Sequence, residues 1–387
     1  MLSEHLISRV KTIDWDFAGS QSDSAFSSIH WHPCRFASQV PATLVGLLTE
    51  VGDVVLDPFV GSGTTVVECQ RLGRRSIGID LNPVSHTIAR AKTLALVAEA
   101  VNEHLRHLQD DLLTALHSRL RTAGLNGSAA SAPSSVQAAK WYTPRVFADL
   151  STAWEVISAM DGTRRILGEA VFSACLLPVC RETRHWGYVC DNSTPRSDYE
   201  GDVEREFVSV IEKLDRAYRE RDREMQSRGL NLPPSESTLV CGDAAQALEG
   251  VHPKSVRLVL TSPPYFGVCD YVKSQRLSME WLGHQIEPLR LNEIGARSKR
   301  HRKLASAEYL RDLELVFRMA RHCTQDGGLL AMVVGESVQR ASVLSPLAEA
   351  CRQAGWILAA QTKRRLSDQR RQAPSIRQEQ LFLFQKG

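Results

Sequence analysis

No stretch of this 387-residue chain approaches the ~18 to 20 consecutive apolar residues of a bilayer-crossing helix, so no membrane-spanning helix is expected. The opening MLSEHLISRVKTIDWDF carries acidic residues where an export signal needs an apolar stretch, which sets the cytoplasm as the expected location. A charge excess is missing too. Lys and Arg number 47 against 44 Asp and Glu, a net of +3, so nucleic-acid contact would have to rest on local basic patches. Two stand out, Lys299-Arg300-His301-Arg302-Lys303 and the run containing Lys363, Arg364, Arg365, Arg370 and Arg371. Each alone reads as solvated surface. The nine cysteines are scattered and read as reduced thiols. Cys175, Cys180, His185 and Cys190 recur every five residues, but the C-x2-C pairing of common zinc sites is absent. Buried small side chains are expected there, and no metal. Gly-Lys-Ser/Thr is also lacking, which argues against a phosphate-gripping loop. No repeat recurs at a fixed period.

What is there has the composition of a globular protein, 43% hydrophobic and 24% charged, long enough for one large domain or two ordinary ones. Residues 54 to 59 read as an apolar strand, followed by Gly61-Ser62-Gly63 and a helix from Thr64 to Leu72, with Thr64 or Ser62 as its cap. A second strand spans 75 to 80. Asn82-Pro83 opens a helix expected to run through HTIARAKTLAL. Strand, glycine turn, helix, strand, helix is the start of a doubly wound α/β sheet. Further strands are expected at 238 to 241, 256 to 261 and 328 to 334, then a terminal pair at 356 to 362 and 380 to 384. Between 97 and 236 the pattern turns helical, as in VNEHLRHLQDDLLTALHSRLRTA, ADLSTAWEVISAM and DVEREFVSVIEKLDRAYRERDREM, with a small-residue loop from Gly124 to Ser135. The expected layout is an α/β domain of 1–96 and 237–387, carrying a terminal antiparallel hairpin and a helical insertion at 97–236.

Two loops carry the chemistry. Gly61 and Gly63 let a ligand approach the backbone between strand and helix. Asp57 ends the first strand, and Asp80 lies 17 residues after Gly63, near the ~20 expected of an acid on ribose hydroxyls. A ligand with ribose hydroxyls and a cationic amine suits two carboxylates better than a triphosphate does. Ser262-Pro263-Pro264-Tyr265 ends another strand of the same sheet and should reach the same edge. The prolines hold an extended backbone, presenting the Ser262 side chain and the Pro263 carbonyl as acceptors. Tyr265 offers a face for a planar ring. Acceptors beside a stacking face make a pocket for an aromatic amine.

Asp57-Pro58-Phe59-Val60-Gly61-Ser62-Gly63-Thr64-Thr65 and Thr261-Ser262-Pro263-Pro264-Tyr265 resemble the two signature motifs of amino-group DNA methyltransferases, the cytosine-N4 and adenine-N6 enzymes. Ile29 to Phe36 resembles the family's segment near the methionine part of the cofactor, and Gly242-Asp243 the motif whose acid meets the adenine amine. The resemblance covers about 29 to 96 and 238 to 384. It implies a Rossmann-like methyltransferase fold, S-adenosylmethionine as cofactor without metal, and double-stranded DNA with a flipped target base. It leaves open a cognate restriction endonuclease, and the sequence does not assign an oligomeric state. The implied cofactor residues are Phe36, Asp57, Pro58, Phe59, Gly61, Ser62, Gly63, Thr64, Thr65, Asp80, Asn82, Asp243 and Thr261. The implied catalytic residues are Ser262, Pro263, Pro264 and Tyr265. Serine opens the catalytic motif in most cytosine-N4 members, aspartate or asparagine in most adenine-N6 members, so cytosine N4 is expected. Many members with the Thr-Thr loop place the catalytic motif first, whereas here the cofactor loop leads, so the target-recognition segment is not carried over.

Pro33-Cys34 precedes the cofactor loop, out of place for a covalent cysteine mechanism. An RNA amine methyltransferase remains a rival, although no added RNA-binding domain is recognisable. A non-catalytic protein keeping the fold would not need the full motif set. A nicotinamide oxidoreductase would need a third glycine where Val66 stands. For substrate contact, Arg181, Arg184, His185, Trp186, Tyr188 and Arg196, Lys140-Trp141-Tyr142, and residues 273 to 303 are the segments to watch.

Overall fold

The computed structural model describes residues 3–17, 24–33, 37–122, 139–182, 189, 193–337, 343–366 and 376–387. Helices α1 (Glu4–Thr12) and α2 (Gln39–Leu48) lead into β1 (Val54–Asp57), α3 (Thr64–Arg71), β2 (Arg75–Asp80) and α4 (Pro83–Lys92). Four long helices follow, α5 (Ala98–Thr122), α6 (Pro144–Ser158), α7 (Gly162–Leu176) and α8 (Val203–Ser227). The chain returns to the sheet with β3 (Ser237–Cys241), α9 (Ala244–Leu248) and β4 (Val256–Thr261). Short helices α10 (Tyr271–Ser274), α11 (Arg276–Trp281) and α12 (Ile286–Asn292) precede α13 (Ala305–Cys323), β5 (Thr324–Ser337), α14 (Leu344–Gln353), β6 (Trp356–Arg365) and β7 (Ile376–Lys386).

The seven strands form one sheet in the order β3-β2-β1-β4-β5-β7-β6. The first five run parallel, and β7 inserts antiparallel between β5 and β6. This order is the Rossmann-like methyltransferase fold that the sequence pattern implied. Central strands are buried on both faces, as their unbroken apolar runs require. Along β5, Leu330, Met332 and Val334 enter the cluster beneath α13 and α14, while Leu329, Ala331 and Val333 enter the one beneath α1 and α2. That is the period-2 alternation of a strand with both faces covered.

The α4 helix begins as its sequence dictates. Asn82 Oδ1 accepts from the backbone N–H of Val84 at 2.9 Å and of Ser85 at 3.3 Å, with Pro83 in the first turn. Its end differs from expectation: it stops at Lys92 instead of running through Leu96. Side chains of α8 take the carbonyls a longer helix would use. Tyr218 donates to Ala91 O at 2.6 Å, and Arg221 donates to Leu94 O at 3.0 Å and Leu96 O at 2.5 Å. The α3 helix is also capped differently. Gly63, at φ +90°, is the cap residue in place of Ser62 or Thr64, and its carbonyl accepts from Val67 at 3.0 Å. A Cβ there would stand 3.1 Å from the backbone of Ala89, so glycine sets how closely this turn approaches α4.

The helices between β2 and β3 share one apolar cluster with α4 and α11. In α5, Val101, Leu105, Leu108, Leu112 and Leu116 are all buried, at the helical 3–4 spacing. The α7 helix lies within the region expected to be helical but was not delimited there; it is fixed by burial of Leu167, Val171, Phe172 and Cys175. Cys175 and Cys180 are buried apolar fillers, while His185 and Cys190 lie outside the described residues, as does the loop from Gly124 to Ser135.

Candidate active site

The carboxyl ends of β1, β2, β3 and β4 open onto one cleft of about 920 Å³, part of it continuous with solvent. Pro58, Phe59, Gly61, Ser62 and Thr64 line it from the loop after β1, Asp80 and Asn82 from the tip of β2, and Asp243 from the turn after β3. Ser262, Pro263, Pro264 and Tyr265 line it from the loop after β4. The glycine turn and the proline loop thus face one space, because β1 and β4 are adjacent and parallel. Phe36 lies outside the described residues.

Asp57, Gly63, Thr65 and Thr261 are not in the lining. Asp57 is 1% exposed and accepts from Thr65 Oγ1 at 2.6 Å, Thr261 Oγ1 at 2.7 Å and Phe59 N at 3.1 Å. It staples the start of α3 and the end of β4 to β1, holding the two loops in register behind the cleft wall. Burial pushes its carboxyl up to about 6 despite three donors.

Asp80 sits in the cleft itself. Its two oxygens accept from Gly61 N and Asn82 N, each at 2.8 Å, and burial raises its carboxyl to about 6. A carboxylate holds about four acceptor sites, so lone pairs remain for ligand hydroxyls. Gly61 adopts φ +53°, and a Cβ there would lie 3.2 Å from the His32 ring. His32 is itself held, with Nδ1 at 2.9 Å from Pro33 O and Nε2 at 3.1 Å from Ser85 Oγ. Asp243 caps α9 by accepting from Gln246 N at 3.1 Å. On the side of the glycine turn, Ser62 Oγ and Asn82 Nδ2 in the wall are buried without a hydrogen-bond partner. Such orphans cost free energy that a polar ligand would relieve.

The proline loop is braced from outside. Tyr309 donates to Pro264 O at 2.9 Å, and Tyr265 N–H donates to Tyr271 Oη at 3.1 Å. The Tyr265 hydroxyl donates to Glu379 Oε1 at 2.9 Å and stands 3.2 Å from Ser262 Oγ. Glu379 on β7 faces Arg364 on β6 at 3.4 Å, and both are buried. Burial raises the Glu379 carboxyl, while Arg364 and Tyr265 oppose the rise. Two sequence expectations change here. Arg364 is no surface cation: β6 alternates, so Lys363 and Arg365 are exposed while Arg364 turns inward to its carboxylate. The Tyr265 ring, expected as an open stacking face, is 3% exposed, because its hydroxyl is tied to β7. Tyr271, half-buried in the same wall, was not singled out.

In the helical region, Trp141 and Tyr142 are 1% and 2% exposed, so they are core and not a nucleic-acid face. Arg196 is paired with exposed Asp198 at 3.2 Å, and Arg184, His185, Trp186 and Tyr188 fall outside the described residues. Of the basic run at 299–303, Lys299 donates to the carbonyls of Leu291 and Glu293, each at 2.7 Å, while Arg302 and Lys303 are exposed. Glu293, also missed in the sequence, enters the cleft from the end of α12. Arg370 and Arg371 lie outside the described residues, and among the described residues no helix is long and apolar enough to cross a membrane.

A seven-stranded sheet of this order, with its loops meeting at the carboxyl edge, is the Rossmann-like methyltransferase fold. Residues 8–91 match a family model described as DNA methylase. The type II methyltransferase M.MjaII of Methanocaldococcus jannaschii is 36% identical over 85 residues, 21% of this chain and 16% of that protein. Type II methyltransferase M.BsoBI of Geobacillus stearothermophilus is 23% identical over 350 residues, 82% of this chain and 65% of that protein. The chain thus matches less than two thirds of the length of these curated relatives. Among solved structures, the rRNA methyltransferase aviRa from Streptomyces viridochromogenes aligns with a TM-score of 0.41 at 10% identity, covering 96% of each chain. Residues 8–91 and the two motifs in one cleft are thus similar to DNA methylases of the amino-group kind.

Proposed function

We propose that this chain methylates an exocyclic base amine in duplex DNA, cytosine N4, with S-adenosylmethionine as donor. The observation that carries the reading is the shared cleft of the Gly61 turn and the Ser262 loop. The residues present fit the cofactor. Asp80 keeps acceptor capacity for ribose hydroxyls, Asp243 in the same cleft would accept from an adenine amine, and the orphaned Ser62 Oγ and Asn82 Nδ2 would take polar partners. When bound, the sulfonium supplies an electrophilic methyl group.

The protein's own part is to hold the amine. The Tyr265 hydroxyl donates to Glu379, and Arg364 beside that carboxyl favours its acceptor form. The Tyr265 oxygen then accepts from Ser262, which commits the Ser262 hydrogen. Ser262 is left with lone pairs facing inward, an obligate acceptor suited to an amine. Together with the Pro263 carbonyl it would hold one N–H bond, help localise the nitrogen lone pair and aim it, so that catalysis rests on positioning and polarisation. Serine at position 262 supports cytosine N4 over adenine N6 through the family resemblance. The base must leave the stack, at a cost of a few kcal/mol; exposed Arg302 and Lys303 beside the cleft-lining segment suit phosphate contact. The domain of 1–96 and 237–387 would perform the chemistry, with 97–236 a helical accessory to DNA binding.

The test is incubation with methyl-labelled S-adenosylmethionine and either duplex DNA or RNA, then digestion to nucleosides. Label in N4-methyldeoxycytidine is the expected result. Label in N6-methyldeoxyadenosine would overturn the base assignment, and label only in RNA would overturn the substrate.

A further inference from the structure

Glu293 is 5% exposed and lines the cleft shared by Ser262 and Asp80. One of its oxygens is committed: Oε1 accepts the backbone N–H groups of Tyr271 and, at 3.4 Å, of Val272, capping the short α10. The other, Oε2, is buried with no hydrogen-bond partner. Capping needs one oxygen, so it does not explain why a carboxylate with a second, unsatisfied oxygen is built into this wall. An orphaned carboxylate oxygen carries a desolvation penalty of at least ~1 to 3 kcal/mol, which a donor from a ligand would remove. Among the donors that the proposed function brings into this cleft, the cofactor's hydroxyls and amines included, the target base amine is the one that must lose a proton during methylation. Serine cannot accept a net proton at neutral pH; a carboxylate can.

We propose that Glu293 is the proton acceptor of the reaction, with Oε2 accepting a hydrogen bond from the target amine and then its proton. As the amine nitrogen forms its bond to the methyl carbon and the bond from that carbon to sulfur breaks, nitrogen becomes cationic and one N–H proton passes to Oε2. Glu293 then releases the proton to solvent. Ser262 and the Pro263 carbonyl orient the amine, while Glu293 supplies the charge that the serine form of the motif lacks. The inference rests on the function proposed above and assigns a catalytic residue to it.

The surroundings suit the role. Burial lifts the Glu293 carboxyl to about 7, with Asp270 adding to the rise and Lys299 and the two backbone donors opposing it. Asp80 and Asp243 line the same cleft. A base poised near the working pH captures a proton and returns it readily.

The experiment is single-turnover methylation of duplex DNA at saturating cofactor from pH 5.5 to 9, on wild type, Glu293→Gln and Glu293→Asp. Fluorescence anisotropy for DNA and calorimetry for cofactor accompany it. Gln keeps an oxygen for the two backbone donors, so the fold should persist. The wild-type rate should fall about tenfold per pH unit below ~7. Glu293→Gln should lose about 100-fold or more and lose that acid limb, with both affinities within about threefold of wild type. Glu293→Asp should recover part of the rate with the limb restored. A Glu293→Gln rate within about threefold of wild type, or an unchanged acid limb, would overturn the assignment. Should the glutamine variant not fold, a wild-type rate flat from pH 8 to 5.5 would overturn it alone. Absence of methyl transfer by the wild type would instead count against the proposed function.

Discussion

Replacing Asp57 by asparagine tests whether the staple behind the cleft is held by charge or by shape. The wild-type carboxylate accepts three hydrogen bonds, two of them from threonine hydroxyls at 2.6 and 2.7 Å. Bonds to a charged group contribute ~1.5 to 3 kcal/mol each. Burial outweighs them: with all three bonds made, the carboxyl still moves from 3.8 to about 6, a net cost to the ionised form of about 3 kcal/mol at ~1.4 kcal/mol per pH unit. Asparagine keeps one acceptor, loses the charge, and lets a threonine hydroxyl turn to accept from its amide. Asparagine escapes that net cost but serves the three donors less well, by ~1.5 to 3 kcal/mol, so Asp57→Asn should change stability at pH 8 by less than about 1.5 kcal/mol. Asp57→Ala, which strands both hydroxyls in a dry site and leaves a cavity, should cost about 3 to 5 kcal/mol. The pH dependence is sharper. A carboxyl raised in the folded state contributes stability that is fully present below 3.8 and lost as pH rises through about 6. Wild type should therefore gain on Asp57→Asn by about 1.4 kcal/mol between pH 8 and pH 5. The nearby Asp80 is present in both proteins and largely cancels. Urea unfolding followed by circular dichroism at pH 5, 6, 7 and 8 measures the difference. A flat difference would refute the claim that burial outweighs the three donors.

Three further outcomes are expected. Asp80→Ala should weaken cofactor binding by about 10- to 100-fold in calorimetry, and wild-type affinity should decline as pH falls through about 6, where Asp80 takes up a proton. Ser262→Ala should lower single-turnover rate by about 100-fold while cofactor affinity stays within about threefold; full turnover would remove Ser262 from the mechanism. Tyr265→Phe cuts the link between Glu379 and Ser262 without touching the ion pair, so turnover should drop about tenfold with a stability loss near 1 kcal/mol, whereas Glu379→Gln strands buried Arg364 and should cost about 3 to 5 kcal/mol in urea unfolding.

Much of the site was legible because its parts are short and local. The Gly61–Gly63 turn, the Asn82 cap with Pro83, and the Ser-Pro-Pro-Tyr loop are each dictated within a few residues, since φ > 0, a cap and a fixed extended backbone need specific side chains. The alternating strands and amphipathic helices were readable from their periods, so the sheet was expected from chemistry that neighbouring residues settle among themselves. Where sequence reading failed, the deciding partner came from far along the chain. Helix α4 stops at Lys92 because residues more than 120 positions later claim its carbonyls. Arg364 looked like surface charge until β7 placed Glu379 opposite it, and Tyr265 looked open until that same carboxylate took its hydroxyl. Glu293 had no local signature at all; its meaning comes from α10 using one oxygen and the cleft receiving the other. The sequence alone determined which segments turn, cap and extend, because those are contests between neighbours. Which polar groups face the cleft, and with what charge, was decided only in the folded chain, where burial and distant partners set the cost of every unpaired atom.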